Sequence, residues 1–238
     1  MIKFFRRIRY NLMEQNKTGK YLKYAIGEIL LVFIGIMIAL QVNNWNENRK
    51  LQLEHIVFLN NIKQDLTNDL EQINRIIAIQ SQKKENINLL KTKLINIKSK
   101  NTENIQQLFA EIHASSNLTF FPNTGAYSTS SSSGIIATLK PESLKMAITN
   151  LYERHYYRLN YNGEIYDKRV DESSFRRGKY FNSFTSKLTS PDVINDSEFL
   201  NLVSILIFDN NSYLDLCNNT KIEIQIIIEL INKSLNIN

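Results

Sequence analysis

The sequence is poor in the residues that build tight turns, disulfides and metal sites. Its 238 residues include seven Gly, three Pro, one Cys and three His. So few Gly and Pro residues argue against a β-sandwich or a β-barrel, which needs many tight turns. The single cysteine, Cys217, excludes an intrachain disulfide and a cysteine-rich zinc site. We expect it to be a small buried apolar residue.

The sequence also lacks the motifs of common enzymes. It contains no Gly-rich phosphate loop, no His-Glu-x-x-His and no Gly-x-Ser-x-Gly. The histidines, His55, His113 and His155, are far apart in the sequence, which favours structural or exposed roles over a metal cluster. We therefore predict no catalytic residue, no metal ligand and no cofactor.

The positive charge is concentrated at the N-terminus. The net charge is +6, and residues 1–23 contain seven Lys or Arg residues and one Glu, whereas the remaining residues carry 22 charges of each sign. A nucleic-acid-binding protein more often carries its positive surplus on a folded face. We therefore predict no nucleic-acid partner.

A hydrophobic run follows this basic segment. Residues 24–42, YAIGEILLVFIGIMIALQV, contain only Glu28 and Gln41 as strongly polar residues. As a helix the run spans about 28 Å, close to the ~30 Å of a hydrocarbon core. A signal peptide has a shorter apolar part and a small-residue cleavage site, which this segment lacks. The run predicts one uncleaved transmembrane helix, a signal-anchor.

The charges around the run predict its orientation. Seven basic residues precede it, whereas Arg49 and Lys50 follow closely and Glu47 offsets one of them. The positive-inside rule then predicts a cytoplasmic N-terminus in the inner (plasma) membrane. The predicted domains are a basic cytoplasmic segment (1–23), a transmembrane helix (24–42) and a periplasmic all-α domain (43–238).

Residues near both ends of the run are predicted to lie at the membrane interface. Arg6, Arg7 and Arg9 flank the apolar face of a short amphipathic helix that suits an anionic lipid surface. The alternative is that these arginines only set the orientation. Tyr24 and Trp45 are the expected interfacial aromatic residues.

One face of the predicted transmembrane helix carries Glu28, Val32, Gly35 and Ala39. Gly35 and Ala39 form a small-xxx-small pattern, which permits close approach of a second helix. We predict packing of this face against other membrane helices or a second copy, with Glu28 hydrogen-bonded or protonated there. The alternative is that Glu28 extends to the headgroups and that the small residues are incidental.

Residues 27–50, GEILLVFIGIMIALQVNNWNENRK, resemble the anchor signature of a family of uncharacterised membrane proteins from Gram-negative bacteria. The basic start MIKFFRRIR is also similar. A weaker similarity follows at GAY (125–127) and SSG (132–134). The resemblance implies an inner-membrane anchor with a helical outer domain and implies no activity.

Apolar residues at spacings of three and four predict that the helix continues beyond the membrane to about residue 98. The stripe consists of Leu59, Ile62, Leu66, Leu70, Ile73, Ile77, Ile87, Leu90, Leu94 and Ile97. Gln80 and Lys84 interrupt it, which allows a kink or break near residues 80–84. A bundle face is favoured over a long exposed coiled coil.

Further helices are predicted over 103–114, over the Ser-rich stretch 128–134, from Pro141 to about residue 173, and over 199–208 and 212–235. The apolar spacing predicts these inward residues in the first helix: Ile105, Leu108, Phe109 and Ile112. It predicts these in the helix from Pro141: Leu144, Ile148, Leu151, His155 and Leu159. The Ser-rich stretch could otherwise be a flexible linker. Residues 191–196 are predicted to be a loop in which Asp196 caps the next helix. The predicted fold is all-α, with a transmembrane helix continuing into an extracytoplasmic helical bundle.

Two basic aromatic segments are candidate binding surfaces. Tyr152, Arg154, Tyr156 and Arg158 suit a ligand face in which Arg binds an anion and Tyr stacks. The favoured alternative is that the Tyr rings fill a core. The segment FRRGKYF (175–181) suits an anionic glycan or lipid headgroup, or is solvated charge.

These features favour a non-enzymatic, membrane-anchored sensing or protein-interaction module. Its predicted partners are the lipid bilayer and either other membrane helices or a second copy. One alternative is an accessory subunit of an envelope transport or ion-driven complex, in which Glu28 would take part in the chemistry. A periplasmic hydrolase is the least favoured alternative.

Overall fold

The computed structural model describes residues 10, 18–97, 102–114 and 117–236. The predicted amphipathic segment with Arg6, Arg7 and Arg9 lies outside these residues. The chain divides into two compact units, Met1–Glu54 and His55–Asn238, which we call the N-terminal unit and the C-terminal unit.

The described residues are almost entirely helical, so the predicted all-α class is confirmed. The α-helices are α1 (Thr18–Ile95), α2 (Glu103–Ala114), α3 (Gly125–Ser133), α4 (Ile135–Thr138), α5 (Glu142–Asn150), α6 (Tyr157–Arg177) and α7 (Ser197–Asn236). A π-helical turn, Leu151–Tyr156, joins α5 to α6, and a 3-10 helix, Pro191–Asn195, precedes α7.

Helix α1 continues through residues 80–84, where the sequence allowed a kink or break. Both Gln80 and Lys83 are buried and hydrogen-bonded to other helices, so they continue the inward face instead of interrupting it. The buried positions keep the spacing of three and four residues at Ile73, Ile76, Gln80, Lys83, Ile87 and Leu90.

Helix α7 is also continuous, and the prediction of two helices separated by Asp209, Asn210 and Asn211 is wrong. Asn breaks a helix when its side chain bonds to the nearby backbone. The Asn210 side chain bonds to Gln80 on α1 instead, so the helix persists.

The start of α7 has the predicted cap. The carboxylate of Asp196 accepts hydrogen bonds from the backbone N–H groups of Glu198 (2.8 Å) and Phe199 (3.2 Å). The preceding residues, predicted to be a loop, form the 3-10 helix, whose first turn is capped by Ser190 through the N–H of Asp192.

The predicted helix from Pro141 contains the π-helical turn, which changes the residues that face the core. An inward His155 was predicted from spacings of three and four, but Tyr152 and Tyr156 are buried and His155 is only half-buried. A π-helical turn adds one residue to the helical repeat. The turn therefore changes which of the following residues face the core.

The Ser-rich stretch is helical, as favoured by the sequence. Helix α3 ends at Ser133, and the following cap residue is Gly134, whose φ of 78° lies in the left-handed region that Gly adopts without strain.

A β-hairpin that the sequence did not predict follows α6. Strands β1 (Phe181–Asn182) and β2 (Lys187–Leu188) pair antiparallel, with Phe181 opposite Leu188 and Asn182 opposite Lys187. Strands of two residues are too short to show an alternating pattern.

The core of the C-terminal unit consists of two apolar clusters. The first apolar cluster includes Leu66 and Ile73 of α1, Ile148 of α5 and Ile224 of α7. Cys217 belongs to it and is fully buried, as predicted.

The second apolar cluster includes Leu90 of α1, Phe109 of α2, Phe181 of β1 and Phe199 of α7. The Phe109 ring lies 5.3 Å from those of Phe181 and Phe199. The inward residues predicted for α2 are all buried: Ile105, Leu108, Phe109 and Ile112.

Candidate functional site

The N-terminal unit contains an exposed apolar segment of α1. Eleven large apolar side chains are each at least 50 % exposed: Ile29, Leu30, Leu31, Val32, Phe33, Ile34, Ile36, Met37, Ile38, Leu40 and Val42. The helix reaches a mean hydropathy of 2.4 and is long and apolar enough to cross a membrane. Exposed apolar areas of this size mark contact with a membrane or another protein.

The residues predicted for helix packing lie on this segment. Val32, Gly35 and Ala39 are exposed, and Glu28 is half-buried. A Cβ atom added at Gly35 would meet no atom within 4 Å, so a neighbouring helix has room to approach. Their contact with a second helix stays a prediction.

The predicted interfacial aromatic residues are also exposed, Tyr24 by 54 % and Trp45 by 66 %. The guanidinium carbon of Arg49 lies 5.9 Å from the Trp45 ring centroid. Their position at a lipid interface stays a prediction.

In the C-terminal unit, the four residues of the predicted ligand face do not share an exposed surface. Tyr152 and Tyr156 are buried in the first apolar cluster, whereas Arg154 and Arg158 are exposed. The burial of the two Tyr rings agrees with the alternative interpretation.

Tyr156 instead belongs to a hydrogen-bonded cluster around Asp69, which is fully buried on α1. Tyr156 Oη donates to Asp69 Oδ2 at 2.7 Å. Asn123 donates to Asp69 Oδ1 from its backbone N (3.0 Å) and its Nδ2 (2.7 Å). Burial raises the pKa of Asp69, and these three hydrogen bonds act in the opposite direction. The cluster thus attaches two parts of the chain to α1. One is the segment before α3, and the other is the π-helical turn.

Aromatic rings cover this cluster. Tyr127 stacks on Tyr152 with centroids 4.3 Å apart, and Tyr152 meets Tyr156 edge to face at 5.0 Å. The neighbouring Ala126 N donates to Asp65 Oδ2 at 3.3 Å. The GAY motif at 125–127 therefore packs beside the carboxylates of α1.

A second polar group, which we call the polar layer, consists of Gln80, Lys83, Tyr166 and Asn210. Each of its residues is at most 4 % exposed. Asn210 Nδ2 donates to Gln80 Oε1 at 2.7 Å, and Tyr166 Oη donates to the same oxygen at 3.1 Å. Lys83 Nζ donates to Tyr166 Oη at 3.2 Å.

The polar layer lies between the two apolar clusters. On α1 it follows Ile76 of the first cluster and precedes Ile87 of the second. On α7, Asn210 lies between Leu206 of the second cluster and Tyr213 of the first. It therefore interrupts the apolar core at one level of the C-terminal unit.

Lys83 is the charged group of the layer. Its Nζ also donates to Asn117 Oδ1 at 2.6 Å. Burial lowers the pKa of Lys83 to about 8, because the charged amine loses hydration. Burial likewise lowers the pKa of nearby His113 to about 4, although a hydrogen bond to the Phe109 carbonyl opposes the shift.

The Asp69 cluster and the polar layer are hydrogen-bonded groups within the core of the C-terminal unit. In the part of the chain that the structure describes, no three His, Cys, Asp or Glu side chains are arranged to hold a metal ion. Two atoms of the layer, Gln80 Nε2 and Asn210 Oδ1, are buried without a hydrogen-bond partner among the described residues.

The sequence prediction missed both polar groups. A signal for the layer was present, since Gln80 and Lys83 occupy the inward positions of an otherwise apolar stripe. Asp69 also occupies an inward position of α1, but acidic residues are numerous on helices and nothing local distinguishes it.

Neither a curated protein nor a solved structure matches the chain. A family model matches residues 28–212, which include the exposed apolar segment, the Asp69 cluster and the polar layer. The chain belongs to the family of unknown function DUF6090.

Proposed function

We propose that the protein is a non-enzymatic sensing or interaction module that α1 anchors in the inner membrane. The observation that carries this proposal is the run of eleven exposed large apolar side chains between Ile29 and Val42. Each such side chain contributes about 1.5–3 kcal/mol when it is fully removed from water. The hydrocarbon core of a bilayer removes the side chains on all faces of the helix from water at once.

The charge distribution supports an orientation for this anchor. Residues 1–23 carry seven of the 29 basic residues and one of the 23 acidic residues. Basic residues favour the cytoplasmic side. We therefore propose a cytoplasmic N-terminus, with residues 43–238 forming a helical bundle in the periplasm.

The partner that we propose is another membrane helix, from a different protein or from a second copy. The face with Glu28, Val32, Gly35 and Ala39 supports this, because small residues let two helix backbones approach closely. A hydrogen bond to Glu28 from a partner would also lower the cost of a carboxyl group near hydrocarbon.

The polar layer is the part of the C-terminal unit that we expect to change packing when a partner or ligand binds. Its unpaired atoms on Gln80 and Asn210 make it less stable than a fully satisfied network. Regions of low local stability are the ones that move in regulation.

The test is site-specific photo-crosslinking of the full chain in membranes. A photoreactive residue replaces Val32 on the proposed packing face, or Met37 on the opposite face as the matched control. We expect Val32 to yield a discrete protein adduct and Met37 to yield lipid adducts. Lipid adducts alone at both positions would contradict the proposed partner.

A further inference from the structure

The segment between α6 and α7 carries a local excess of positive charge. Residues 173–191 contain four basic residues and no acidic residue, whereas residues 24–238 as a whole are balanced. Arg176 pairs with Glu172 at 2.6 Å, and Lys179 pairs with Glu198 at 2.7 Å. Within the described ranges, the other two basic residues, Arg177 and Lys187, take part in no salt bridge.

The aromatic residues of this segment fall into two groups. Tyr180 and Phe181 are buried in the second apolar cluster and hold the hairpin against the unit. Phe175 and Phe184, in contrast, are 88 % and 98 % exposed. Leaving two Phe rings in water forgoes burial that is worth about 1.5–3 kcal/mol for each ring, which indicates a surface that meets something apolar.

Phe184 lies on a turn whose backbone is fixed by hydrogen bonds. Asn182 Oδ1 accepts hydrogen bonds from the backbone N–H groups of Phe184 (3.0 Å) and Thr185 (3.1 Å). Arg177 Nη2 donates to Ser183 Oγ at 3.3 Å, which joins the turn to the end of α6. The exposed ring is therefore held out by specific contacts.

We propose that this tip, consisting of Phe175, Arg177, Phe184 and Lys187, binds the surface of a bilayer that contains anionic lipids. Aromatic rings on a projecting turn can enter the boundary between headgroups and acyl chains, where apolar side chains are favoured. Arg and Lys beside them contact lipid phosphates. Phe lacks the polar atoms that would hydrogen-bond to a sugar, so lipid fits the tip better than an anionic glycan.

The test uses the full chain reconstituted in phosphatidylcholine nanodiscs, which accommodate the apolar segment of α1. A Thr185→Cys substitution carries an environment-sensitive fluorophore, and the native Cys217 is fully buried and stays unlabelled. Vesicles of phosphatidylcholine, with or without phosphatidylglycerol, are then added. We expect a blue-shifted and stronger emission with phosphatidylglycerol vesicles, reversed by high salt.

Substitutions in the tip identify the residues responsible. Phe184→Ser is expected to weaken vesicle binding roughly ten-fold or more, since it removes one inserted ring. Lys187→Glu is expected to weaken it roughly five- to thirty-fold and to reduce the salt dependence. The matched controls are Phe121→Ser, at an exposed Phe outside the tip, and Lys168→Glu, at an exposed Lys on α6. Neither control is expected to change binding.

Several results would overturn the proposal. One is an emission that phosphatidylglycerol vesicles leave unchanged, and another is an equal loss in the control variants. A response to soluble peptidoglycan fragments without a response to vesicles would assign the tip to a glycan instead. A failure of the α1 anchor is distinguishable, because the chain would then not enter the nanodiscs at all.

Discussion

The side chain of Asn210 donates a 2.7 Å hydrogen bond to Gln80 Oε1, although 130 residues separate the two in the chain. Asn210 also donates to the main-chain carbonyl of Gln80 at 3.3 Å. A slip of α7 along α1 would leave these buried groups unpaired, and an unpaired buried polar group costs about 1–3 kcal/mol. The pair therefore specifies one register for the two longest helices.

Asn210→Leu is expected to destabilise the C-terminal unit by about 1–3 kcal/mol. The buried Gln80 loses the donor to its main-chain carbonyl and one of the two donors to its Oε1. Replacing Gln80 and Asn210 together by Leu should recover part of this loss, since the apolar pair avoids the desolvation cost while the Tyr166 hydroxyl loses its acceptor. Denaturant unfolding followed by circular dichroism measures both effects, with Asn201→Leu on the exposed face of α7 as the control. A double variant less stable than either single variant would contradict this explanation.

Lys83 gives the stability a pH dependence with a defined sign. Burial lowers the pKa of Lys83 to about 8, below its ordinary value of 10.5, so the folded state releases this proton first. Between these values the unfolded chain binds more protons, and stability therefore rises with pH. Across this whole pH range, the free energy of unfolding is expected to increase by an amount on the order of 3 kcal/mol.

Lys83→Met tests this sign. The neighbouring Tyr166 stays protonated throughout the window, because burial raises the pKa of Tyr166 to about 12. His113 is already neutral, because burial lowers its pKa to about 4. The unfolding free energy of the wild type relative to Lys83→Met should thus increase from about pH 8 to about pH 10. A difference that stays constant or decreases would exclude the buried amine as its cause.

Asp69→Ala is expected to be among the most destabilising substitutions in the C-terminal unit. It leaves the buried Tyr156 hydroxyl without its acceptor, at a cost of about 1–3 kcal/mol. It also removes the two hydrogen bonds that tie Asn123 to α1. The midpoint of denaturant unfolding measures the loss. Glu71→Ala, at an exposed position of the same helix, serves as the control and should change stability by less than about 0.5 kcal/mol.

Much of the fold follows from local patterns. Helix α2 is predicted with its bounds and its inward face, because apolar residues recur every three or four positions and nothing interrupts them. The Asp196 cap is likewise local, since its carboxylate binds N–H groups two and three residues away.

Other features depend on partners distant in the sequence. Asp209, Asn210 and Asn211 form a local break signal. The side chains of Asp209 and Asn210 instead bind Arg169 on α6 and Gln80 on α1, which explains why α7 continues. The π-helical turn at Leu151–Tyr156 inserts one residue without a composition signal, so the sequence predicts an inward His155 where the structure buries Tyr156. The polar layer was missed because Gln80 was interpreted as an interruption of the stripe, while its partners lie on α6 and α7.

Glu28→Gln distinguishes an interaction anchor from an ion-coupled subunit. Gln keeps the hydrogen-bonding capacity and the size of Glu but carries no titratable proton. We expect the extent of membrane insertion and the yield of the Val32 crosslink to change by less than about two-fold. That ratio corresponds to a free-energy difference of about 0.5 kcal/mol. Loss of the partner complex in this variant would favour an ion-coupled role.

We propose that α1 crosses the inner membrane and that the C-terminal unit lies on the periplasmic side. The most direct measurement is protease digestion of intact spheroplasts from a Gram-negative host that expresses the full chain, followed by alkaline extraction of the membranes. We predict that the protease degrades the C-terminal unit and that an anchor fragment stays in the extracted membranes. A C-terminal unit protected in spheroplasts but degraded after lysis, or a chain released into the soluble fraction, would contradict the claim.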